Sequence, residues 1–246
     1  MIMKNKIKLL ISPKNIEEAK IVVKQKEVDY IDCKNPVEGS LGANFPWIIK
    51  QMKNLIPSSS NQLLSATIGD FPYLPGSASL AALGAAYAGA DIIKVGLRGP
   101  KNEIEGINLM KNVVKAVKNF NKSIKVVAAG YADKIRMQGS PHFLTIPTIA
   151  SKSGADIAML DTFIKDGKSI LDFLNIAQLK EFRDKAKKLG LEVALAGNLL
   201  KDSILKIRQI NPDIIGVRSI VCEGYDRENG MIKEYLINEL KSILYN

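Results

Sequence analysis

The chain has 246 residues, of which 46% are hydrophobic, and its 35 Lys and Arg residues outnumber 25 Asp and Glu residues to give a formal net charge of +10 at pH 7. This length and apolar content predict one large core, and because no linker rich in Gly, Ser or Pro divides the chain, we expect a single domain over residues 1–246. The basic residues are spread along helix-like stretches without an aromatic stacking platform, so nucleic acid is not expected as a partner.

The N-terminal segment MIMKNKIKLLIS contains an apolar run that is too short for a signal peptide or a membrane span, so we expect a cytoplasmic protein with no membrane partner. Cys33 and Cys222 lie far apart and have no CxxC partner, which predicts buried thiols rather than a disulfide or a zinc site. His142 is the single histidine and lies in an irregular loop, where we expect it at the surface. Neither a catalytic metal nor another cofactor is expected.

Eight short apolar runs recur along the chain and predict eight β-strands, at residues 6–12, 28–33, 63–69, 90–97, 124–130, 155–161, 191–197 and 213–219. Amphipathic segments long enough for helices lie between these runs, among them NIEEAKIVVKQK, FPWIIKQMKNL, SLAALGAAYAG, EGINLMKNVVKAVKN, AQLKEFRDKAKKLG and GMIKEYLINELKSIL. The segment after the fifth strand contains two prolines, so we expect a broken loop there, followed by a short helix at 147–153.

Strand followed by helix, eight times over, predicts an α/β chain folded as a (β/α)8 TIM barrel. An Asp opens each even-numbered strand, in EVDYI, GADII, GADIA and NPDII, and such weak internal symmetry is expected of repeated βα units. A doubly wound open sheet is the alternative, but the first strand lacks the glycine-rich phosphate turn that is typical of dinucleotide-binding folds.

Three lysines stand at or just beyond the carboxyl ends of even-numbered strands: Lys34, Lys94 and Lys165. Active sites of such barrels lie at this end, so we expect the three ammonium groups to converge. Burial and mutual repulsion lower the pKa of a lysine, and a neutral amine can form an imine with a carbonyl substrate. The lysines therefore indicate either imine chemistry or phosphate binding.

Two carboxylates accompany the lysines. Strand alternation places Asp32 and Lys34 on one face, with Cys33 on the other beneath a helix, while Asp161 ends the sixth strand four residues before Lys165. Both acids oppose the lowering of a lysine pKa, so we interpret them as proton carriers or orienting groups. From position alone, Lys34 could equally extend to solvent or form a plain ion pair with Asp32.

The segments AGN at 196–198 and GVRS at 216–219 follow the seventh and eighth strands. Many TIM barrels bind a phosphate with backbone amides at these two loops. We therefore predict phosphate contacts at Gly197, Asn198, Arg218 and Ser219. A barrel rim of small residues without a ligand is the equally weighted alternative.

Long strings of the sequence resemble the (5-formylfuran-3-yl)methyl phosphate synthase family of methanofuran biosynthesis, nearly end to end. They are DCKNPVEGSLGANFPW (32–47), SATIGDFPYLPGSASLAALGAAYAGADIIKVGL (65–97), VVAAGYAD (126–133), DIAMLDTFIKDGKSILDF (156–173), ALAGNL (194–199) and GVRSIVCEGYDRENGMI (216–232). The resemblance implies a barrel lyase that joins two molecules of glyceraldehyde 3-phosphate, through a lysine Schiff base, into a phosphorylated furan aldehyde, with loss of phosphate and water.

The resemblance also implies residue roles. Lys34 matches the lysine taken to form the imine, and four further charged residues match the family's motifs: Asp32, Lys94, Asp161 and Lys165. We expect Asp226 and Arg227 to contribute to the phosphate site from the last loop. Cys33 stands where an aliphatic residue is expected, and SIVCEGY after Arg218 is bulkier than the family's small-residue version.

We expect a triose phosphate as the small-molecule partner and a homo-oligomeric assembly. The nearest alternative function is another Schiff-base aldolase that acts on phosphorylated sugars, which would share the barrel, the lysine and the phosphate loops. A basic barrel that binds nucleic acid and catalyses nothing is the alternative from a different class of protein.

Overall fold

The computed structural model of the protein describes residues 6–245, and in it eight parallel strands close into a barrel in sequence order, with β8 pairing back to β1. The strands are β1 (Lys8–Ile11), β2 (Tyr30–Cys33), β3 (Leu63–Asp70), β4 (Ile92–Gly96), β5 (Lys125–Tyr131), β6 (Ile157–Asp161), β7 (Glu192–Leu195) and β8 (Ile214–Val217). The helices that follow them are α1 (Ile16–Val23), α2 (Pro46–Leu55), α3 (Pro75–Tyr87), α4 (Glu103–Phe120), α5 (Ile146–Ser153), α6 (Ile176–Lys188), α7 (Lys201–Ile210) and α8 (Glu234–Tyr245). The predicted (β/α)8 barrel is confirmed.

The Asp before each even-numbered strand joins neighbouring strands at the amino end of the barrel. These residues are Asp29, Asp91, Asp156 and Asp213. Each carboxylate accepts the backbone N–H near the start of the preceding strand, at 2.7 or 2.8 Å from Leu9, Leu64, Val126 and Val193 respectively. The repeat read from the sequence is thus a set of side-chain hydrogen bonds that fixes the stagger of paired strands, at the end of the barrel opposite the site.

Two apolar layers surround the strands. Inward-facing side chains, including Leu10, Tyr30, Ile92 and Ile214, fill the lumen. The outward-facing side chains of the same strands pack against the helices, and Cys33 lies in this outer layer, as alternation along β2 predicted. Because the lumen is filled below, polar groups gather at the carboxyl ends of the strands.

Predicted and observed elements differ mainly at their ends. The strands are mostly shorter than the apolar runs, since the first and last residues of each run belong to connecting turns. The short helix after β5 begins at Ile146, one residue before the predicted start. Helix α7 was not among the segments named from the sequence, because its buried face is a narrow stripe of Ile204, Ile207 and Ile210 in an otherwise polar stretch.

Other predictions on single residues are confirmed. His142 is exposed, and Cys33 and Cys222 are buried free thiols. Among the helices of residues 6–245, none combines the length and the apolar character that crossing a bilayer requires.

Candidate active site

A polar cavity of about 30 Å³ lies at the carboxyl end of the barrel. With the exception of Asp226, the residues predicted from the sequence for catalysis or phosphate binding line it, among them Asp32, Lys34, Lys94, Asp161, Lys165, Gly197, Asn198, Arg218 and Ser219. Ser12 and Arg227 line it as well. The closed barrel therefore brings together groups from β1, β2, β4, β6, β7 and β8.

Asp32 and Lys94 form a buried ion pair across the mouth of the barrel. Lys94 Nζ lies 2.6 Å from Asp32 Oδ1, and the two side chains are 2% and 1% exposed. Ser12, just after β1, donates a hydrogen bond of 2.8 Å to the other carboxylate oxygen. One oxygen of Asp32 thus contacts Lys94 as an ion pair and the other accepts a hydrogen bond from Ser12, so the carboxylate orients Lys94 rather than Lys34.

Asp161 and Lys165 form a second ion pair. Asp161 ends β6, and Lys165 stands four residues later in the following loop. Lys165 Nζ lies 2.7 Å from Asp161 Oδ1 and donates to Thr162 Oγ1 at 3.2 Å. Burial alone would raise the pKa of Asp161, but the charges of Lys165 and Lys34 and a hydrogen bond from the Thr162 amide lower it to about 2. Asp161 is therefore a carboxylate at neutral pH.

Lys34 is the buried lysine between these pairs, and its own side chain is 6% exposed. Within residues 6–245, no carboxylate oxygen lies within 4 Å of its Nζ. Burial lowers the pKa of Lys34 to about 7, with Lys165 and Lys94 adding to the effect and Asp161 and Asp32 opposing it. At pH 7 about half of this amine is neutral, against roughly 0.04% of an ordinary lysine.

The two structural alternatives for Lys34 are therefore wrong. Its side chain does not extend to solvent, and Asp32 pairs with Lys94 instead. A buried amine that is half neutral at pH 7 and lies in a polar cavity is suited to attack a carbonyl carbon.

The rim beyond β7 and β8 offers backbone donors. The N–H groups of Gly197, Asn198 and Ser219 donate to no acceptor in the described part of the chain, and all three residues line the cavity. Gly197 has φ of 110°, and a Cβ there would lie 3.1 Å from Thr162 Cγ2, so this close turn requires glycine. Unpartnered amides at these two strand ends suit the oxygens of a phosphate.

The phosphate prediction for Arg218 concerned its backbone amide, and its side chain is engaged elsewhere. Its guanidinium donates to both oxygens of Glu18 on α1, at 2.7 and 3.2 Å, and to the carbonyls of Ser12 and Arg227, both at 2.9 Å. Arg218 and Glu18 are almost wholly buried. The guanidinium thus ties β1, α1 and the last loop together, and what Arg218 can offer a phosphate is its backbone.

The loop after β2 crosses the mouth of the barrel. Ser40 Oγ donates to the carbonyl of Thr162 at 2.8 Å, and Thr67 Oγ1 donates to the carbonyl of Gly42 at 2.6 Å. Leu41, between them, is wholly buried in the inner apolar layer. Residues 39–42, called the crossing loop below, therefore lie across part of the mouth.

Asp70 and Tyr131 anchor the crossing loop from below. The Tyr131 hydroxyl donates to Asp70 Oδ1, and both oxygens of that carboxylate lie 3.3 Å from the amide nitrogen of Leu41. Burial raises the pKa of both groups, and the charge of Asp70 raises that of Tyr131 further. The pair sits at the ends of β3 and β5, where a small Gly96 leaves room for it.

A family model described as 4-HFC-P synthase matches residues 9–241 of the chain. The chain belongs to the 4-HFC-P synthase family. The (5-formylfuran-3-yl)methyl phosphate synthase of Methanocaldococcus jannaschii is 52% identical over 235 residues, which cover 96% of this chain and 98% of that protein. The synthase of the same name from Archaeoglobus fulgidus is 51% identical over 240 residues, covering 97% and 100%. Family membership gives the chain a synthase role, and therefore an enzymatic one.

Solved structures confirm the fold. The 3-hexulose-6-phosphate synthase from Salmonella typhimurium superposes with a TM-score of 0.66 at 14% identity, covering 97% of this chain and 98% of that one. Orotidine 5'-monophosphate decarboxylase from Methanocaldococcus jannaschii has a TM-score of 0.62 at 20% identity, covering 97% and 99%. At these identities the likeness concerns the barrel alone.

In this member of the 4-HFC-P synthase family, sequence reasoning missed Ser12, Asp70 and Tyr131. Their signal was present, since each stands at or just after the carboxyl end of a strand, but a polar residue there is common in turns as well. Asp226, named as a phosphate contributor, instead accepts the amides of Glu228 and Asn229 in its own turn. Across residues 6–245, no three His, Cys, Asp or Glu side chains gather as a metal site would require.

Proposed function

We propose that the chain condenses two molecules of glyceraldehyde 3-phosphate into (5-formylfuran-3-yl)methyl phosphate, a step of methanofuran biosynthesis, through a Schiff base on Lys34. The observation that carries the proposal is the contrast among the three lysines. Lys94 and Lys165 are each paired with a carboxylate. Lys34 is buried, has no carboxylate within 4 Å of its Nζ among residues 6–245, and has a pKa of about 7. Lys34 is thus the amine best prepared to attack a carbonyl.

In the first stage, neutral Lys34 attacks the carbonyl carbon of one triose phosphate, and loss of water gives an imine. A base removes the proton on the adjacent carbon, and an enamine forms. The enamine carbon forms a bond to the carbon of the second triose phosphate that loses its phosphate by elimination, so the aldehyde of the second triose is kept as the formyl group. The neighbouring Lys94, held by Asp32, supplies a fixed positive charge beside the developing oxyanion.

In the second stage the ring closes and eliminations produce the aromatic furan. Atoms balance when two triose phosphates lose one phosphate and two water molecules. Asp161 and Lys165, which share a hydrogen-bonded contact of 2.7 Å, are the proposed proton carriers for these eliminations. The amides of Gly197, Asn198 and Ser219, with the backbone of Arg218, hold the phosphate that the product retains. No resident cofactor enters this scheme.

The product is the decisive measurement. Purified protein incubated with glyceraldehyde 3-phosphate is expected to form a conjugated furan aldehyde with the mass of the phosphate ester, together with inorganic phosphate. A simple aldol product that retains both phosphates and lacks the conjugated absorption would favour another Schiff-base aldolase. Salt-dependent binding to DNA without turnover would favour the non-catalytic alternative.

The position of the adduct tests the mechanism separately from the product. Borohydride reduction in the presence of substrate, followed by peptide mass mapping, is expected to place the adduct on Lys34. An adduct on Lys165 would reverse the proposed roles of the two lysines. The homo-oligomeric state and the cytoplasmic location stay predictions, to be checked by sedimentation and by cell fractionation.

A further inference from the structure

A second cleft adjoins the catalytic cavity on its outer side. It has a volume of about 620 Å³ and lies between the loops that follow β1 and β2 and the last loop of the chain. Its lining includes Lys14, Asn35, Phe163, Lys165, Arg227 and Glu228. Lys165 and Arg227 line both this outer cleft and the catalytic cavity, so the two spaces are continuous.

The catalytic cavity is much narrower than the outer cleft. The space that a water molecule can reach is about 30 Å³ in the cavity and about 620 Å³ in the outer cleft. Because the two spaces are continuous, a second phosphorylated triose finds more room in the outer cleft than beside the first.

The charges of the outer cleft suit an anion. Lys14, Lys165 and Arg227 line it, against the single carboxylate of Glu228. Lys14 Nζ donates at 2.9 Å to the backbone carbonyl of Glu228, which leaves two of its three hydrogens for another acceptor. The excess of positive charge matches a phosphate group.

Among the three cations of the outer cleft, Arg227 is the one whose side chain has no hydrogen-bonded partner in the described residues. Its backbone carbonyl accepts a hydrogen bond from Arg218, but its guanidinium donates to no acceptor in the described residues. The side chain is half-buried, and burial lowers its pKa although the charge of Asp161 opposes this. A desolvated guanidinium without a counter-ion is costly, and a bidentate phosphate would relieve that cost.

We propose that the outer cleft binds the phosphate of the second triose phosphate through Arg227 and Lys14, and releases it as inorganic phosphate, an assignment that rests on the proposed function. In the elimination a base takes a carbon-bound proton, the electron pair of that C–H bond forms a carbon–carbon double bond, and the C–O bond to phosphate breaks. The phosphate keeps the oxygen and the electron pair of the broken bond. Lys165 lines both spaces and stabilises the negative charge that develops on the departing phosphate.

A rival cleft shares Phe163 with the outer cleft, but its contacts make it a poorer anion site. It has a volume of about 610 Å³ and includes Arg98, Lys101 and Arg136. Arg136 is already held by Asp133 and Asp166, at 2.7 and 2.6 Å. In the described part of the chain, this cleft and the catalytic cavity share no lining residue.

The test compares Arg227→Gln with Lys101→Gln, which removes one positive charge from the rival cleft. At saturating glyceraldehyde 3-phosphate, Arg227→Gln is expected to trap the Lys34 adduct with borohydride within twofold of the wild type, while furan formation falls at least tenfold. Inhibition by added inorganic phosphate should weaken at least tenfold as well. Lys101→Gln should match the wild type in all three measurements, and thermal unfolding confirms that both variants fold.

Three results would overturn the assignment: unchanged furan formation and phosphate inhibition in Arg227→Gln, a loss of adduct as large as the loss of furan in that variant, or the predicted losses in Lys101→Gln. If the wild-type protein makes no furan, the proposed function is wrong, and that result alone does not test the outer cleft. The anion site is then tested by calorimetry with inorganic phosphate. If the outer cleft binds phosphate, the wild type should show two phosphate-binding sites and Arg227→Gln should show one. One site in both proteins would refute it.

Discussion

Lys94 Nζ lies 2.6 Å from Asp32 Oδ1, with both side chains almost wholly buried at the mouth of the barrel. Asp32 stands two residues before Lys34, which follows the end of β2, and Asp32 pairs with the lysine of β4 instead. Among residues 6–245, Lys34 is thus left without a carboxylate partner. The distribution of ion pairs, more than the number of lysines, therefore decides which amine is neutral.

The pH dependence of imine formation should show the lowered pKa of Lys34. Below its pKa the amine is protonated and cannot attack, so adduct trapping should rise as pH increases through about 7 and then level off. Lys165→Gln removes a cation that lowers this pKa, so the rise should move to higher pH. Trapping at increasing pH, quantified by mass spectrometry, measures both midpoints. A midpoint near 10 in the wild type would contradict the assignment.

Replacing Lys34 with Met should stabilise the fold while abolishing activity. The folded-state pKa of about 7 lies below the ordinary value of 10.5, so at pH 6 the wild type keeps a charged amine buried at a cost of roughly 3 to 5 kcal/mol. Between pH 7 and 10.5 the folded state releases this proton before the unfolded state does, so wild-type stability rises and the advantage of the variant shrinks.

Urea unfolding at pH 6 and pH 9 measures this difference. Lys20→Met serves as the control, because Lys20 is on the surface and pairs with Glu17 within one helix. Its effect should stay within about 0.5 kcal/mol at both pH values. An equal gain for Lys34→Met at both pH values would show that better packing of the apolar side chain, not removal of a buried charge, explains it.

Asp161→Asn should separate imine formation from the later steps. The negative charge of Asp161 raises the pKa of Lys34, so its removal lowers that pKa further and preserves trapping at pH 6.5. Loss of a proton carrier should reduce furan formation by about 10²- to 10⁴-fold. Parallel assays of adduct and product check this, and a variant that loses both in proportion would place Asp161 in the first step.

Tyr131→Phe should loosen the crossing loop. The substitution removes the hydroxyl donor to Asp70 and leaves that buried carboxylate with weaker partners, at a cost of about 1–3 kcal/mol. Hydrogen exchange at the Leu41 amide should become faster, and proteolysis should begin within residues 39–42. Tyr245→Phe, which removes a hydroxyl bonded to Ile7 near the start of β1, should leave the loop unchanged. Equal rates of exchange at the Leu41 amide in both variants would show that Tyr131 does not hold the crossing loop in place.

Arg218→Met should destabilise the barrel by about 3–5 kcal/mol, because it leaves the carboxylate of Glu18 buried without its counter-ion. A second substitution, Glu18→Leu, should recover much of this loss by removing the stranded charge. Unfolding midpoints of the two single variants and the double variant give the coupling. Additive losses would mean that the two side chains act independently.

The barrel was predictable because its strands are continuous apolar runs at regular spacing, and the site was predictable because Lys34, Lys94 and Asp161 stand at strand ends. Which groups pair was not predictable. Asp32 and Lys94 belong to strands that are not adjacent, and their contact depends on closure of the sheet. Arg218 shows the same limit, since its partner Glu18 lies 200 residues away along the chain and nothing local marks the two as a pair.

The hydrogen bond from Ser40 to Thr162 joins residues 122 positions apart, so the mouth of the barrel cannot be completed before β6 has docked. A nascent chain that has emerged as far as β4 already contains Lys34 and Lys94, yet its amines are hydrated and protonated like any surface lysine. Chemical reactivity toward aldehydes is therefore acquired with tertiary closure. An unfinished or half-folded copy of the enzyme is inert toward the carbonyl metabolites around it.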